Sequence, residues 1–270
     1  LLFVSIDLEK QSSAMQKIFI QKAAERIKDD ENVLGLAVAG SWITNEVDEY
    51  SDVDLILFTR KKVAGDLERM AAYAKGFGSL LSAFTGEHVG EPRLLICLYD
   101  DPLLHVDIKF LTPAEYSSRI EDPVILFERE HTITHLLKSS KAKWPYPDYQ
   151  WIEDRFWTWV HYATLKLGRG EDFEALDFLS FVRSAVLAPL LQIKNGNQPR
   201  ALRKVETKLS KADFDALKAT VAAYDTASLF AALENSIQLY RHLRKELFSS
   251  NIQLQTVTEE KVLAYLSAIR

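Results

Sequence analysis

The chain has 270 residues, of which 47% are hydrophobic, 26% charged and 11% aromatic, with only 10 Gly and 8 Pro. That is enough apolar material for one large domain or two ordinary ones, and too little Gly and Pro for a long low-complexity segment. A formal net charge of −5 argues against a protein built to grip a long phosphate backbone, which would be strongly basic, and leaves small molecules as the expected partners.

The single cysteine, Cys97, lies in the apolar run Leu94–Leu98. An intrachain disulfide and a cysteine-based zinc site are excluded, and a buried, inert thiol is expected. No stretch approaches the length of a membrane span, so no membrane partner is expected. The apolar opening Leu1–Ile6 is short and lacks a basic leader, which predicts no secretory signal and a cytoplasmic location.

Along the chain, residues 12–29 place Met15, Ile18, Ile20, Ala23, Ala24 and Ile27 at roughly helical spacing. Val33–Ala39 is an apolar run of strand length closed by Gly40-Ser41. Val53–Thr59 predicts a second strand, and residues 64–84 have a helical pattern. Arg93–Tyr99 and Leu103–Leu111 predict two strands of a hairpin around Asp100-Asp101-Pro102, and Val124–Phe127 a short further strand. Beyond Trp144–Asp148 the strand signals stop. Helices are predicted over 148–167, 172–193, 210–223, 226–248 and 258–269, with Asp172 and Thr226 as N-caps. The chain therefore divides into an α/β domain, 1–145, and a helical domain, 146–270.

The chemistry concentrates after the first strand. Gly40-Ser41 is followed, ten residues on, by Asp52-Val53-Asp54 at the head of the second strand. The two-residue period of a strand puts Asp52 and Asp54 on one face and Val53 and Leu55 on the other. Paired carboxylates on an otherwise apolar strand repel each other and lose hydration, a conflict that Mg²⁺ resolves with a few carboxylates and substrate phosphate oxygens. In Leu104–Phe110 the same alternation sets His105, Asp107 and Lys109 on a polar face. If that strand lies beside the Asp52–Asp54 strand, Asp107 completes a cluster able to hold two metal ions about 3.5–4 Å apart. Gly40 lets backbone approach a phosphate, and the Ser41 hydroxyl can bond to it.

Ala39-Gly40-Ser41-Trp42 and Tyr50-Ser51-Asp52-Val53-Asp54-Leu55 resemble the signature of the nucleotidyltransferase superfamily typified by DNA polymerase β. The layout, an α/β domain followed by a helical one, is similar to that of the aminoglycoside adenylyltransferases. The resemblance is carried by motifs within residues 30–110; over the helical half it is one of layout only. It implies an α/β (α+β) nucleotidyltransferase domain with a mixed sheet and an all-α bundle. It also implies Mg²⁺, with two ions expected, and an NTP, by family habit ATP. The reaction would move a nucleoside monophosphate to a hydroxyl of a small-molecule acceptor, an aminoglycoside among them. Asp52, Asp54 and Asp107 would be the catalytic and metal-binding residues, and Asp107 either only ligates or also accepts the acceptor's proton; Glu87 and Glu91 are weaker candidates for the base. Where the antibiotic-modifying enzymes often carry an Arg shortly after Gly-Ser, this chain has Trp42-Ile43-Thr44-Asn45.

A triphosphate needs cations, and the candidates are Lys109 and, in the helical half, Arg200, Arg203 and Lys204. Glu171, Asp172, Glu174 and Asp177 are candidates for an acidic cleft that would attract a cationic acceptor. His161 and Tyr162, on a helix with Trp151, Trp157 and Trp159, are expected in the core. His131 and His135 have no evident third ligand and are expected to be structural. Two other readings compete: a nucleotide-binding regulatory module with little turnover, and transfer to a protein or nucleic-acid acceptor. Oligomeric state leaves no mark in the sequence.

Overall fold

The computed structural model describes residues 14–270, together with the backbone of Leu2 and Phe3. It divides into two compact units, Leu1–Trp144 and Pro145–Arg270, one residue from the expected boundary.

The first unit is built on a seven-stranded mixed sheet of order β1-β7-β2-β3-β6-β5-β4. Its strands are β1 (Leu2–Phe3), β2 (Val33–Val38), β3 (Val53–Thr59), β4 (Ser79–Gly86), β5 (Glu91–Asp100), β6 (Leu104–Leu111) and β7 (Val124–Glu128). β3 and β6 run parallel at the centre of the sheet, while the other neighbouring pairs are antiparallel. The expected hairpin is present as β5 and β6, with Cys97 opposite Val106. The helices of this unit are α1 (Ala14–Ile27), α2 (Leu67–Phe77) and α3 (Thr132–Ser139). Residues 12 and 13 of the expected first helix, and most of the apolar opening Leu1–Ile6, lie outside the described residues.

Strand alternation divides the core in two. Val53, Leu55 and Leu57 of β3 and Val106, Ile108 and Phe110 of β6 pack with Ile20 and Ala23 of α1 and Met70 and Ala74 of α2. Ile56 and Phe58 lie on the opposite face with Tyr116 and with Ile133 of α3. Asp54 shares that second face by the same alternation. Cys97 is buried in the first core, and burial pushes its thiol up to about 12, so the inert reading stands.

Two expectations fail in this unit. The helical pattern over 64–84 covers a helix and a strand, because Leu80, Leu81, Ala83 and Phe84 recur at helical spacing while the backbone turns extended at Gly78. β4 is an edge strand that puts apolar groups on both faces: Leu80 and Ala83 pack inward, whereas Leu81 and Phe84 are exposed. Helix α3 was not expected either. Its start at His131 is left-handed, with φ 55°, and Arg119 ties down its end by donating to Leu137 O at 3.3 Å, Ser140 O at 2.8 Å and Ser140 Oγ at 2.6 Å.

The second unit is helical: α4 (Tyr149–Gly168), α5 (Asp172–Val182), α6 (Ala188–Lys194), α7 (Val205–Lys208), α8 (Lys211–Lys218), α9 (Thr226–Leu247) and α10 (Thr256–Ile269). A π-helical turn, Arg183–Leu187, joins α5 to α6. The joined helix Asp172–Lys194 has 23 residues and contains an 18-residue window of mean hydropathy 1.5, enough by length and composition alone to cross a membrane. The expectation that no stretch reaches that length is corrected. Leu179, Val182, Val186, Leu187, Leu190 and Leu191 are nevertheless buried in the bundle core, the setting in which a long, largely apolar helix is also stable. The two expected N-caps shift by one residue: Glu171 precedes α5, and Asp225 caps α9 by accepting from Ser228 N at 2.8 Å. Trp157 is core as expected, but Trp151 and Tyr162 are exposed.

A buried polar network locks the bundle. The Glu153 carboxylate, fully buried, accepts from Tyr240 Oη at 2.5 Å, Arg244 Nη1 at 3.0 Å and Gln255 N at 2.9 Å. Arg244 also donates to Glu259 at 2.8 Å, so α4, α9 and α10 share one set of charges. Removing one member strands the others in a low dielectric. Arg244→Ala is expected to destabilise the second unit by about 3–5 kcal/mol, measured as a loss of urea midpoint with unchanged m-value.

Candidate functional site

Parallel pairing of β3 and β6 sets Asp54 opposite Asp107 in register. Neighbouring strands are about 4.8 Å apart, and residues paired in this way project to the same side of the sheet, so the two carboxylates are neighbours. Asp52 immediately precedes β3, and its charge acts on Asp107. The turn before it is held from below: the buried Gln16 of α1 donates to Asp48 O at 3.2 Å and Ser51 O at 3.1 Å. Within that turn Asp48 Oδ1 accepts from Tyr50 N and Ser51 Oγ. The helix layer thus fixes where the Asp52–Asp54 segment begins.

Gly40 and Ser41 lie beside this pair. β2 ends at Val38, Ala39 N donates to Asp54 O at 2.9 Å, and the chain makes a single 3₁₀ turn over Gly40–Trp42. Gly40 has φ +63°, and a Cβ there would collide with Oδ2 of Asp54. A side chain is therefore excluded by both backbone conformation and space. The Ser41 hydroxyl is buried and has no hydrogen-bond partner among the described residues. Orphaned buried hydroxyls are uncommon in folded chains.

Burial raises the pKa of Asp107, opposed by His105, whose Nε2 is 2.9 Å from Asp107 Oδ1, and reinforced by Asp52. Among the described residues no three His, Cys, Asp or Glu side chains are gathered closely enough to hold a metal unaided. Residues 52, 54 and 107 are thus an adjacent pair with a third carboxylate near them, and not a closed cage. The His131 and His135 rings are 6.2 Å apart between centroids, with Glu128 Oε1 3.6 Å from His131 Nδ1.

Asp54 and Asp107 line one wall of a pocket of about 310 Å³, together with Glu91, Arg93 and Lys109 and, from the segment after β6, Glu115 and Tyr116. Lys109 is on the Asp107 face as expected, and its Nζ is 2.7 Å from Glu91 Oε2. Arg93 grips the same carboxylate in a fork, Nε to Oε1 and Nη2 to Oε2, both at 2.7 Å. Arg93 was not anticipated. Its signal was the spacing of Glu91 and Arg93 at the head of the hairpin strand that pairs with Lys109. The Arg93 bonds, with the Lys109 ammonium adding to them, hold Glu91 down at about 2. Glu87 is exposed and takes a hydrogen bond from Thr85 Oγ1.

In the helical unit the other candidates are placed as follows. Arg200 and Arg203 sit on the loop after α6: Arg200 donates to Gln198 Oε1 at 2.9 Å, and Arg203 is exposed. Glu171 and Glu174 of the anticipated acidic cleft are both 2.6 Å from Lys166, and Asp172 accepts from Thr226 at 2.9 Å. Most of that charge is already answered.

Two solved structures are similar to this chain in fold. An aminoglycoside 6-adenyltransferase from Bacillus subtilis aligns over 96% of this chain and 98% of its own, at 16% identity and a TM-score of 0.43. A nucleotidyltransferase-like protein from Exiguobacterium sibiricum 255-15 aligns over 96% and 88%, at 13% identity and a TM-score of 0.30. No family model matches the sequence, and no curated protein does. At such low scores neither likeness decides what the pocket does, which leaves its own residues to do so.

A carboxylate held below its ordinary range stabilises the fold fully above about pH 4.5, and that contribution fades as the pH falls toward 2. Glu91→Gln is expected to cost about 1 kcal/mol at pH 7, the pairs being partly exposed and screened. The difference in thermal midpoint from the parent should close as the pH is lowered toward 2.5; a difference independent of pH would contradict the ion-pair account.

Proposed function

We propose that the protein is a metal-dependent nucleotidyltransferase that moves a nucleoside monophosphate, AMP from ATP, to a hydroxyl of a small-molecule acceptor. One observation carries this reading: two carboxylates paired in register beside a glycine whose Cβ would strike one of them, next to a buried hydroxyl with no partner. That combination has little structural value. Asp107 is bonded to His105, and a cation between the two carboxylates, with an oxyanion for the orphan hydroxyl, would lower the cost of holding these groups together.

Asp54 and Asp107, with Asp52, would hold Mg²⁺, which when bound neutralises phosphate charge and polarises the α-phosphorus. Mg²⁺ keeps several waters and takes one or two protein carboxylates with substrate phosphates, so an incomplete cage suits an ion that arrives with its nucleotide. Gly40 admits phosphate to the backbone, and Ser41 Oγ donates to a phosphate oxygen. Asp107, whose proton affinity burial raises, accepts the proton of the attacking hydroxyl at its carboxylate. His105 Nε2, against Oδ1, steadies the carboxylate for that step. The aminoglycosides are the first acceptors to test, with other polyhydroxylated small molecules beside them.

The assay is release of pyrophosphate and labelling of the acceptor from α-labelled ATP with Mg²⁺ and a panel of such acceptors. Asp54→Asn should lower turnover by roughly 10²-fold or more, as loss of a group acting on the transferred phosphate does, and leave the thermal midpoint intact. Gly40→Ala should also lower turnover, by displacing the Asp54 carboxylate, and should lower the thermal midpoint as well because Ala at φ +63° is strained. An Asp54→Asn protein as active as the parent would sink the proposal; nucleotide binding with no turnover on any acceptor would favour a regulatory module.

A further inference from the structure

Glu91 and Arg93 of β5 and Lys109 of β6 form one cluster of charges. One carboxylate takes three short bonds from two cations, each at 2.7 Å, and is saturated by them. Two positive charges against one negative leave the triad at +1. Arg93 and Lys109 are still 34% and 33% exposed as side chains, and both line the pocket that holds Asp54 and Asp107. Arg93 spends Nε and Nη2 on Glu91, which leaves Nη1; Lys109 spends one of its three donors. A fork and an ammonium pinned in this way have already lost the side-chain freedom that binding would otherwise cost.

The pocket's other cation is engaged elsewhere. Arg119 is bonded to Asp122, Ser140 and the carbonyl of Leu137. Glu115 accepts from the backbone N and hydroxyl of Thr112 at 2.8 Å. The Arg93–Lys109 pair is what the pocket offers an anion, and Lys109 stands two residues along β6 from Asp107, roughly 6.6 Å by strand rise. A phosphate chain bound at the carboxylates reaches that far.

We propose that Glu91, Arg93 and Lys109 are an oxyanion subsite for the phosphates of the nucleotide, in which Glu91 orients the two cations and is not the reaction's base. Arg93 and Lys109 contact phosphate oxygens, and Glu91 is a positioning residue. The identity of the anion rests on the nucleotidyltransferase reading. The existence of the subsite does not, because it requires neither metal nor turnover.

The test is calorimetric titration of the full chain with inorganic pyrophosphate in the presence of a chelator, each variant first checked by circular dichroism. The parent should bind, and Asp54→Asn should bind at least as tightly, since a repelling carboxylate is gone. Arg93→Gln and Lys109→Gln should each weaken binding by roughly tenfold, as loss of a charge-assisted contact does. Lys109→Arg should stay within about threefold of the parent, because it keeps the charge. Glu91→Ala separates positioning from bulk charge: it raises the local charge by one, yet affinity should fall. Tighter binding in Glu91→Ala would overturn the positioning role. Absence of binding to the parent, or unchanged binding in Arg93→Gln and Lys109→Gln, would overturn the subsite even in an active enzyme. An inactive protein whose pyrophosphate binding follows this pattern would retain the subsite and lose the transferase reading.

Discussion

Asp54 and Asp107 stand opposite each other where β3 and β6 pair in parallel, and this juxtaposition of two acidic side chains is the constraint around which the first unit is arranged. Both strands continue into an apolar core, so neither can slip to relieve it: a shift of one residue would turn Val53, Leu55 and Leu57 out of the α1–α2 layer and Asp54 into it. Register is set by several buried side chains, each worth about 1.5–3 kcal/mol. That outweighs the repulsion of one carboxylate pair in water-accessible surroundings. The fold can therefore carry an electrostatic liability at a defined place, as expected of a site that a ligand completes.

The surroundings of the pair agree with this. Gln16 clamps the turn that delivers Asp52, and the left-handed Gly40 leaves space against Asp54 that a side chain would fill. Both features position groups; neither adds to the core. The second unit follows the opposite logic. Its buried charges, Glu153, Arg244 and Glu259, are mutually bonded and add no unmet demand. On the sheet the acidic side chains lie instead along a pocket wall, with His105 against Asp107.

Much of this was legible in the sequence, and the failures have physical causes. β3 matches its expected bounds, Val53–Thr59, because its apolar run is bracketed by charged residues on both sides. Asp107 was placed by alternation alone, since β6 is polar on one face and apolar on the other. β4 misled because an edge strand with apolar groups on both faces imitates helical spacing. The helix 172–194 hid its membrane-like length because burial inside a bundle and burial in lipid ask for the same residues. Arg93, isolated in sequence, gains its meaning only from the pairing that sets Leu94 opposite Lys109 and so brings Glu91 within reach of both cations.

The most direct test of the central claim is a crystal structure of the full chain with Mn²⁺ and a non-hydrolysable ATP analogue, read by the anomalous signal of the metal. The account predicts Mn²⁺ ligated by Asp54 and Asp107, with the phosphates against Gly40 and Ser41 Oγ. Metal or nucleotide bound away from that pair, with Ser41 Oγ still unpartnered, would contradict it.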